Sequence, residues 1–385
     1  MSGALLRLVC TTAVTASAVL VPAPAVAARS ADTAKTSDTR SVSQLLTDLQ
    51  RLYRQAEKAT ETYNGTVEKL KQQQREVARL DARLARARLA LRSSRREAGL
   101  LARQQYQSSA DISPYLRLLL ARDPQRALDQ SHVLEELSRE QTETVDQLTD
   151  ATKHAEVLAR KARTALDERM TLTQRQKRQQ DDVQRRLKDV EKLLASLSSG
   201  RRAELTEFEH NGTAAAQKKF LASGALSESR PPTEKGDRAL RYAVEQIGKP
   251  YQWGGAGPRS YDCSGLTSQA WKHAGRAIPR TSQEQWAQLP HVPLTQLRPG
   301  DLVIYFPEAT HVALYLGDGM VVQAPRPGTR IKVSPIAANP VLGAVRPDPG
   351  GQPLRSYEPP SLPQGSSSGS NTGYSAAGAP ATDAR

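Results

Sequence analysis

Residues 261–266 read Tyr-Asp-Cys-Ser-Gly-Leu, and this stretch places a cysteine at the start of a predicted helix. Asp262 is a natural N-cap residue, and the helix after it is expected to end at Gly275. A thiol in the first turn feels the positive end of the helix dipole and the free backbone N–H groups, which favour the thiolate and lower the thiol pKa. The pattern therefore predicts that Cys263 is a reactive thiolate whose neighbouring N–H groups can hold an oxyanion.

His311 is the histidine best placed to act as the base for this thiol. It begins a predicted strand that a short glycine-containing loop joins to the next strand. If residues 317–319 form a three-residue hairpin loop, Ala313 pairs with Gln323, and His311 and Gln323 become diagonal neighbours on one face. A glutamine carbonyl in that position fixes the imidazole tautomer and leaves the second ring nitrogen to face the thiol. The other histidines are weaker candidates. His132 and His154 lie on a predicted coiled coil and His210 lies in a linker. His273 is too far along the cysteine helix, and His291 lies in a Pro-flanked loop.

Five successive motifs lie between residues 250 and 317: PYQWGG at 250–255, DCSGL at 262–266, PRTSQEQ at 279–285, LRPGDL at 297–302 and HVALYLG at 311–317. Together they resemble the motifs of the NlpC-type cell-wall cysteine peptidases. The resemblance implies a papain-like α+β fold for residues 238–347, with helices packed on a small antiparallel sheet. It also implies cleavage of peptidoglycan stem peptides, typically between D-Glu and the diamino acid. No Cys-x-x-Cys or His-Glu-x-x-His spacing is present, so neither a metal nor a cofactor is expected.

The resemblance assigns a role to each matching residue. Cys263 is the nucleophile, His311 the base and Gln323 the orienting third residue, at a position where other members often have His, Glu or Asn. Tyr251 and the backbone N–H of Cys263 are expected to stabilise the oxyanion. Four further positions are expected to contact the stem peptide: Asp262, Ser264, Arg280 and Ser282.

Residues 41–199 carry a long helical pattern on either side of a short connector. Apolar residues recur at alternating steps of four and three from Leu45 to Leu101 and from Leu137 to Leu197, which is the heptad repeat of a coiled coil. Each helix would be ~100 Å long. Two segments of similar length favour an antiparallel coiled-coil hairpin, and an intermolecular parallel coil is the alternative. The region is similar to the coiled coils of secreted division hydrolases of Gram-positive bacteria.

The predicted tip of the hairpin, near residues 107–128, contains an apolar cluster. Ser113-Pro114 and Asp123-Pro124 each place a capping side chain before a proline, so two short helices are predicted there. An apolar cluster at the end of a rod either packs over the bend or binds a partner. The resemblance to division hydrolases implies a membrane-embedded division complex as that partner. The residues of the cluster are Tyr115, Leu116, Leu118, Leu119 and Leu120.

The N-terminus predicts secretion. Residues 1–28 contain one basic residue, an apolar run from Leu8 to Val21 and the small-x-small sequence Ala25-Val26-Ala27, which indicate a cleaved signal peptide. An uncleaved membrane anchor is the alternative, although the run is shorter than the ~20 residues of a membrane span. The formal net charge of +14 predicts an anionic partner, and outside the cytoplasm this favours peptidoglycan over nucleic acid. After cleavage Cys263 is the single cysteine.

The rest of the chain is predicted to be a linker at 200–237, with one short helix around 214–221, and a disordered Pro-, Ser- and Gly-rich tail at 348–385.

Three functions compete for the predicted thiolate. They are a secreted, wall-associated peptidoglycan endopeptidase, a catalytically idle wall-associated scaffold, and an acyl or amide transferase. The rod is either a lid over the Cys263 groove, released when a partner binds the tip, or a spacer across the wall.

Overall fold

The computed structural model describes residues 40–108, 124–226 and 230–368. Its most extended feature is a helical hairpin in which α1, Val42–Ser108, packs antiparallel to α2, Pro124–Ala195. This is the arrangement that the two similar lengths predicted. Among the described helices, none is long and apolar enough to cross a membrane.

The hairpin is held by two apolar clusters, and the stretch of α1 between them is buried but polar. The apolar clusters are Leu45, Leu49, Tyr53, Val190, Leu194, Leu197 and Leu205 near the base, and Val77, Leu80, Leu84, Ala87, Ala155, Leu158 and Ala165 further out. The polar stretch is Glu57, Thr60, Glu61, Asn64 and Thr66. Buried polar side chains need hydrogen-bond partners, and several of these find them in the C-terminal domain.

A third helix, α3, occupies Ser199–Ala222, where the sequence predicted a linker with one short helix. The side chain of Ser198 caps it by accepting from the backbone N–H of Arg201. Gly212 lies inside the helix and lowers its intrinsic propensity by about 1 kcal/mol. Tertiary contacts offset that loss, since Leu205 joins the apolar cluster at the base of the hairpin and Phe220 packs on the C-terminal domain.

The C-terminal domain packs three helices on an antiparallel sheet of strand order β1-β6-β2-β3-β4-β5. Side chains alternate along β3, so that Val312 and Leu314 enter the main core under the helices while Ala313 and Tyr315 join a smaller cluster on the other face. The helices are α4, Glu234–Glu245; α5, Cys263–His273; and α6, Ser282–Gln288. The strands are β1, His291–Val292; β2, Leu302–Tyr305; β3, His311–Gly317; β4, Met320–Gln323; β5, Lys332–Pro335; and β6, Val341–Val345.

The turn between β3 and β4 sets the register that brings His311 towards Gln323. Leu314 pairs with Val322, which is the register predicted from the sequence. The loop itself is shorter than predicted, because β3 runs through Gly317 and the turn residues are Asp318 and Gly319, both with positive φ. A register shift between Tyr315 and Gly317 absorbs the extra residue.

The segment after Pro347 is packed on the domain as far as Ser368, although the sequence predicted a disordered tail from residue 348. Asp348 forms a buried ion pair with Arg298 at 2.9 Å, and the backbone of Ser366 accepts from Val333 at 2.8 Å. A compositional argument misses these contacts because each depends on a few specific partners. Residues 369–385, the predicted signal peptide at 1–28 and the tip cluster at 115–120 lie outside the described residues.

Candidate active site

Cys263 is the first residue of α5, and the predicted N-cap holds it there. Asp262 Oδ1 accepts from the backbone N–H of Gly265 at 2.6 Å, and both Asp262 and Cys263 are buried. The first turn of the helix packs directly against the preceding loop: a Cβ on Gly265 would lie 2.0 Å from the carbonyl oxygen of Gly255. The glycine two residues after the cysteine is therefore a steric requirement of the site.

The variant Gly265→Ala is expected to lower the free energy of unfolding of the C-terminal domain by about 3 kcal/mol, because the backbone of residue 255 must move. Chemical denaturation measures this change. Gly212→Ala in α3 is the matched control, since a Cβ there meets nothing within 4 Å. The control is expected to stabilise its helix by ~0.5–1 kcal/mol. Equal stabilities for the two variants would contradict the packing argument.

His311 and Gln323 form the predicted pair across β3 and β4. The imidazole Nε2 lies 2.7 Å from the Gln323 side-chain Oε1, and both residues are buried. Since an amide oxygen only accepts, Nε2 carries the proton and Nδ1 is left as the acceptor. Within the described part of the chain Nδ1 has no hydrogen-bond partner, and it lies 3.7 Å from Oε1 of Glu57.

A cluster of polar groups surrounds the N-terminus of α5. Arg280 donates to both carboxylate oxygens of Asp262, at 3.0 and 2.8 Å, and to the hydroxyl of Ser264 at 2.8 Å. The bidentate pair fixes the guanidinium next to the cysteine. Tyr251 is buried nearby; burial, and secondly the adjacent Cys263, raise the pKa of its phenol. The phenol therefore keeps its proton and can donate it in a hydrogen bond.

Residues 53–64 of α1, which we name the lid segment, lie over this cluster. The Glu61 carboxylate accepts from the Ser264 hydroxyl at 2.7 Å and from the backbone N–H of Ser282 at 2.9 Å. Its Oε1 atom is also 3.6 Å from Sγ of Cys263. A carboxylate from the hairpin thus occupies the space next to the candidate nucleophile.

Other side chains of the lid segment extend the contact on both sides of Glu61. Oε1 of Glu57 lies 3.7 Å from Nδ1 of His311, and Asn64 Nδ2 donates to Asp262 Oδ2 at 3.0 Å. The ring of Tyr63 packs edge-on against Trp253, with centroids 5.1 Å apart. The lid segment therefore covers the candidate nucleophile, base and N-cap together.

Arg326, in the loop after β4, holds the hairpin base against the domain. Its guanidinium lies 4.5 Å from the ring centroid of Tyr53 on α1 and forms a largely buried ion pair with Glu209 on α3 at 3.2 Å. One domain residue therefore contacts both α1 and α3. We call this three-residue contact the clasp.

The variant Arg326→Ala is expected to raise the alkylation rate of Cys263 in the full chain about 10-fold. It removes the cation–π contact and leaves Glu209 without its ion-pair partner, so undocking of the hairpin becomes easier. Arg330→Ala is the matched control, since Arg330 is exposed and, among the described residues, its guanidinium donates to the domain's own Gly248 carbonyl. An unchanged rate in Arg326→Ala would show that the clasp does not hold the lid segment.

In the closed chain the titratable groups of the site depart from their ordinary pKa values. Burial raises the pKa of Glu57 to about 8 and that of Glu61 to about 7, with Asp262 adding to the shift at Glu61. Burial lowers the pKa of His311 to about 4. Burial, followed by the carboxylates of Glu61 and Asp262, raises the pKa of the Cys263 thiol well above its ordinary value.

The predicted lowering of the thiol pKa is therefore wrong for the chain with its lid segment in place. The backbone N–H of Ser264 does act in the predicted direction, but desolvation and the neighbouring carboxylates outweigh it. At neutral pH both the thiol and the imidazole are uncharged. The closed chain lacks the thiolate–imidazolium pair that nucleophilic attack requires.

The structure places the sequence-predicted residues of the domain in one site. They are Tyr251, Asp262, Cys263, Ser264, Arg280, Ser282, His311 and Gln323. The sequence analysis missed the residues contributed from outside the motifs: Tyr53, Glu57, Glu61, Asn64 and Arg326. The available signal was the polar stripe of α1, where Glu57, Glu61 and Asn64 share one helix face between two apolar stretches. Among the described residues no cluster of His, Cys, Asp and Glu is arranged to hold a metal ion.

The site lies in a segment that matches a known family. The family model for NlpC/P60 covers residues 248–343, which include the cysteine, the histidine and the glutamine. The chain carries an NlpC/P60 domain at its C-terminus. The fold class predicted from the sequence, a small α+β domain preceded by an antiparallel helical hairpin, is the one observed.

Relatives of the NlpC/P60 domain include endopeptidases. A probable endopeptidase of Corynebacterium glutamicum is 40% identical over 125 residues, which are 32% of this chain and 59% of that protein. The murein DD-endopeptidase MepH of Escherichia coli is 36% identical over 129 residues, 31% of this chain and 48% of that protein. The chain thus spans less than two thirds of the length of either relative.

A similar solved structure is RipD of Mycobacterium tuberculosis. It is described as a non-catalytic NlpC/p60 domain protein adapted to peptidoglycan binding. It is 32% identical, the match covers 30% of this chain and 98% of that one, and the TM-score is 0.27.

Proposed function

We propose that this protein is a secreted, wall-associated peptidoglycan endopeptidase that uses Cys263 as its nucleophile. The observation that carries the proposal is the set formed by a cysteine at a helix N-terminus, the hydrogen-bonded His311 and Gln323 pair, and the carboxylate-binding groups beside them, in an NlpC/P60 domain. The proposed hydrolytic activity does not depend on the predicted signal peptide, from which the secretion is inferred. Hydrolysis of cell walls by the full chain tests it.

The mechanism follows from the groups present once the lid segment is displaced. Nδ1 of His311 takes the thiol proton, and the thiolate attacks the scissile carbonyl. The backbone N–H of Cys263 and the Tyr251 hydroxyl stabilise the oxyanion that forms. Collapse of the tetrahedral intermediate expels the amine, which receives its proton from the imidazolium, and leaves a thioester on Cys263. Water, deprotonated by the same imidazole, then hydrolyses the thioester and restores the thiol.

The contacts of Glu61 support an anionic substrate. Its carboxylate is held by the Ser264 hydroxyl and the Ser282 N–H, close to Arg280 and to the cysteine sulfur. Once the lid segment leaves, these groups can hold a carboxylate next to the scissile bond. A stem peptide provides one at D-Glu, so we assign the cut to the bond between D-Glu and the diamino acid. Mass spectrometry of products from defined muropeptides tests the assignment.

The helical hairpin regulates the enzyme in this proposal. Glu61, Glu57 and Asn64 occupy the site in the chain as it stands, so substrate and lid segment compete for the same groups. We assign the release to a partner at the hairpin tip, with a membrane-embedded division complex as the class of partner. Polar substitutions at Leu118 and Leu119 are expected to block activation in cells. A rod that acts only as a spacer would leave the reactivity of Cys263 independent of the lid segment.

Two other functions use the same domain. An idle wall-binding scaffold would release as little from walls as its Cys263→Ala variant, whereas the endopeptidase releases far more. An acyl or amide transferase would resolve the thioester with an amine instead of water. Its products would then carry the added mass of the acceptor amine.

A further inference from the structure

We propose that Glu57 and Glu61 make the lid segment sensitive to pH, so that it closes in acid and opens as the pH rises towards 8. This inference rests on the proposed regulation of the same site. It concerns protons that move when the lid segment docks, and its test does not use peptidoglycan.

The geometry supplies two carboxyl groups that docking removes from water. Glu57 is 7% exposed and Glu61 2% exposed in the closed chain. Glu57 Oε2 has no hydrogen-bond partner among the described residues, and its Oε1 faces an imidazole that carries no proton on the near nitrogen. Protonation gives Glu57 a donor that faces this nitrogen at 3.7 Å, whereas ionisation leaves a buried charge whose Oε2 has no donor among the described residues.

Glu61 has partners, but other acidic groups surround it. Asp262 and the Cys263 thiol lie beside it, and Glu57 is one helical turn away. Docking therefore brings like charges together, which favours the protonated forms. In the proposed undocked state, Glu57 and Glu61 are exposed to solvent.

Cationic groups face the same region and oppose this effect without cancelling it. Arg326 of the domain and Arg54 of α1 lower the pKa of Glu57, and Arg280 lowers that of Glu61. Burial outweighs them, so both carboxyl groups stay above their ordinary 4.5, at about 8 and about 7. Burial also raises the pKa of Glu209 on α3, which is paired with Arg326. This shift acts in the same direction if α3 undocks together with α1.

The sign of the pH dependence follows from the protons bound in each state. Between pH 4.5 and about 7 the closed chain keeps protons on Glu57 and Glu61 that the open chain releases, so a rising pH favours opening. His311 acts in the opposite direction, because burial lowers its pKa from the ordinary 6.5 to about 4 in the closed chain. On closing, the two carboxyl groups take up protons and the imidazole releases one. The net uptake is about one proton at any pH between about 5 and 7.5. Opening becomes independent of these groups only above about pH 9, because Glu57 is still half protonated in the closed chain at about pH 8.

The test is the reaction of Cys263 in the full chain with 2,2′-dithiodipyridine between pH 5.5 and 8.5. Each rate is divided by that of Glu61→Arg, a variant that cannot close, so that ionisation of the thiol itself cancels. Because one proton corresponds to a tenfold change per pH unit, the wild-type ratio is expected to rise roughly 100-fold from pH 6 to pH 8. The double variant Glu57→Gln/Glu61→Gln keeps the opposing contributions of His311 and Glu209, so its ratio is expected to stay nearly flat over the same range.

Glu68→Gln is the matched control, because Glu68 lies further along α1 and pairs with Lys71. Its ratio is expected to follow the wild type. If the double variant does not fold, Glu57→Gln alone replaces it, with a ratio that stays nearly flat because one carboxyl group against one imidazole leaves almost no net proton uptake. A flat wild-type ratio, or a double variant that rises as the wild type does, overturns the pH sensitivity. If Glu61→Arg reacts no faster than wild type at any pH, the lid itself is absent.

Discussion

Glu61→Arg in the full chain is expected to raise the alkylation rate of Cys263 at pH 7 by about 100-fold. The substitution removes the hydrogen bonds to Ser264 and Ser282 and places a cation beside Arg280. Each hydrogen bond to a charged group contributes about 1.5–3 kcal/mol, and 1.4 kcal/mol corresponds to a tenfold change in the opening equilibrium. Stopped-flow or quenched alkylation with iodoacetamide measures the rate.

Glu68→Arg is the control for this result. It makes the same change of charge on the same helix, and the contact that it breaks among the described residues is the pair with Lys71. Its rate is expected to equal that of the wild type, because exposed pairs contribute little. Equal rates for Glu61→Arg and Glu68→Arg would mean that the lid segment does not shield the thiol in solution.

In the opened Glu61→Arg background, Cys263→Ser and His311→Ala are each expected to lower peptidoglycan hydrolysis by at least ~1,000-fold. Nucleophile and base act as one unit, so the loss of either removes the covalent route. Gln323→Ala is expected to cost only about 10- to 100-fold, because a neutral amide orients His311 without holding a positive charge on it. Release of soluble muropeptides from purified walls, followed by chromatography, gives the three rates.

The control for the His311 result is His291→Ala, which removes an imidazole stacked on Trp286 at the outer edge of the sheet. It is expected to retain full activity. Full activity in His311→Ala would transfer the role of base to another residue, and a Gln323→Ala variant as inactive as Cys263→Ser would make the glutamine part of the essential unit.

Local rules were sufficient for the residues of the domain that carry the site. The Asp262 cap and the spacing to Gly265 place Cys263 at a helix start, and the pairing of β3 with β4 follows from strand alternation and a glycine-containing turn. These features depend on neighbours in sequence or across one hairpin. For that reason the sequence alone predicts that His311 and Gln323 lie next to each other.

The contacts of the lid segment could not be predicted in the same way, because Glu61 and Cys263 are separated by 202 positions in the chain. The heptad pattern identified a helix around Glu57 and Glu61 but did not indicate which surface their face would meet. The direction of the thiol pKa was predicted wrongly for the same reason. A helix N-terminus is a local effect, whereas burial is a tertiary one, and burial is the larger.

The central claim is that the NlpC/P60 domain is a cysteine endopeptidase held closed by the lid segment. One digest of purified peptidoglycan tests it most directly, with the full-length wild type, Glu61→Arg and Glu61→Arg/Cys263→Ser compared at equal concentration. The account predicts slow release by the wild type, release at least ~10-fold faster by Glu61→Arg, and none above background when the cysteine is also replaced. Release that is equally fast from all three proteins, or absent from all three, would contradict it.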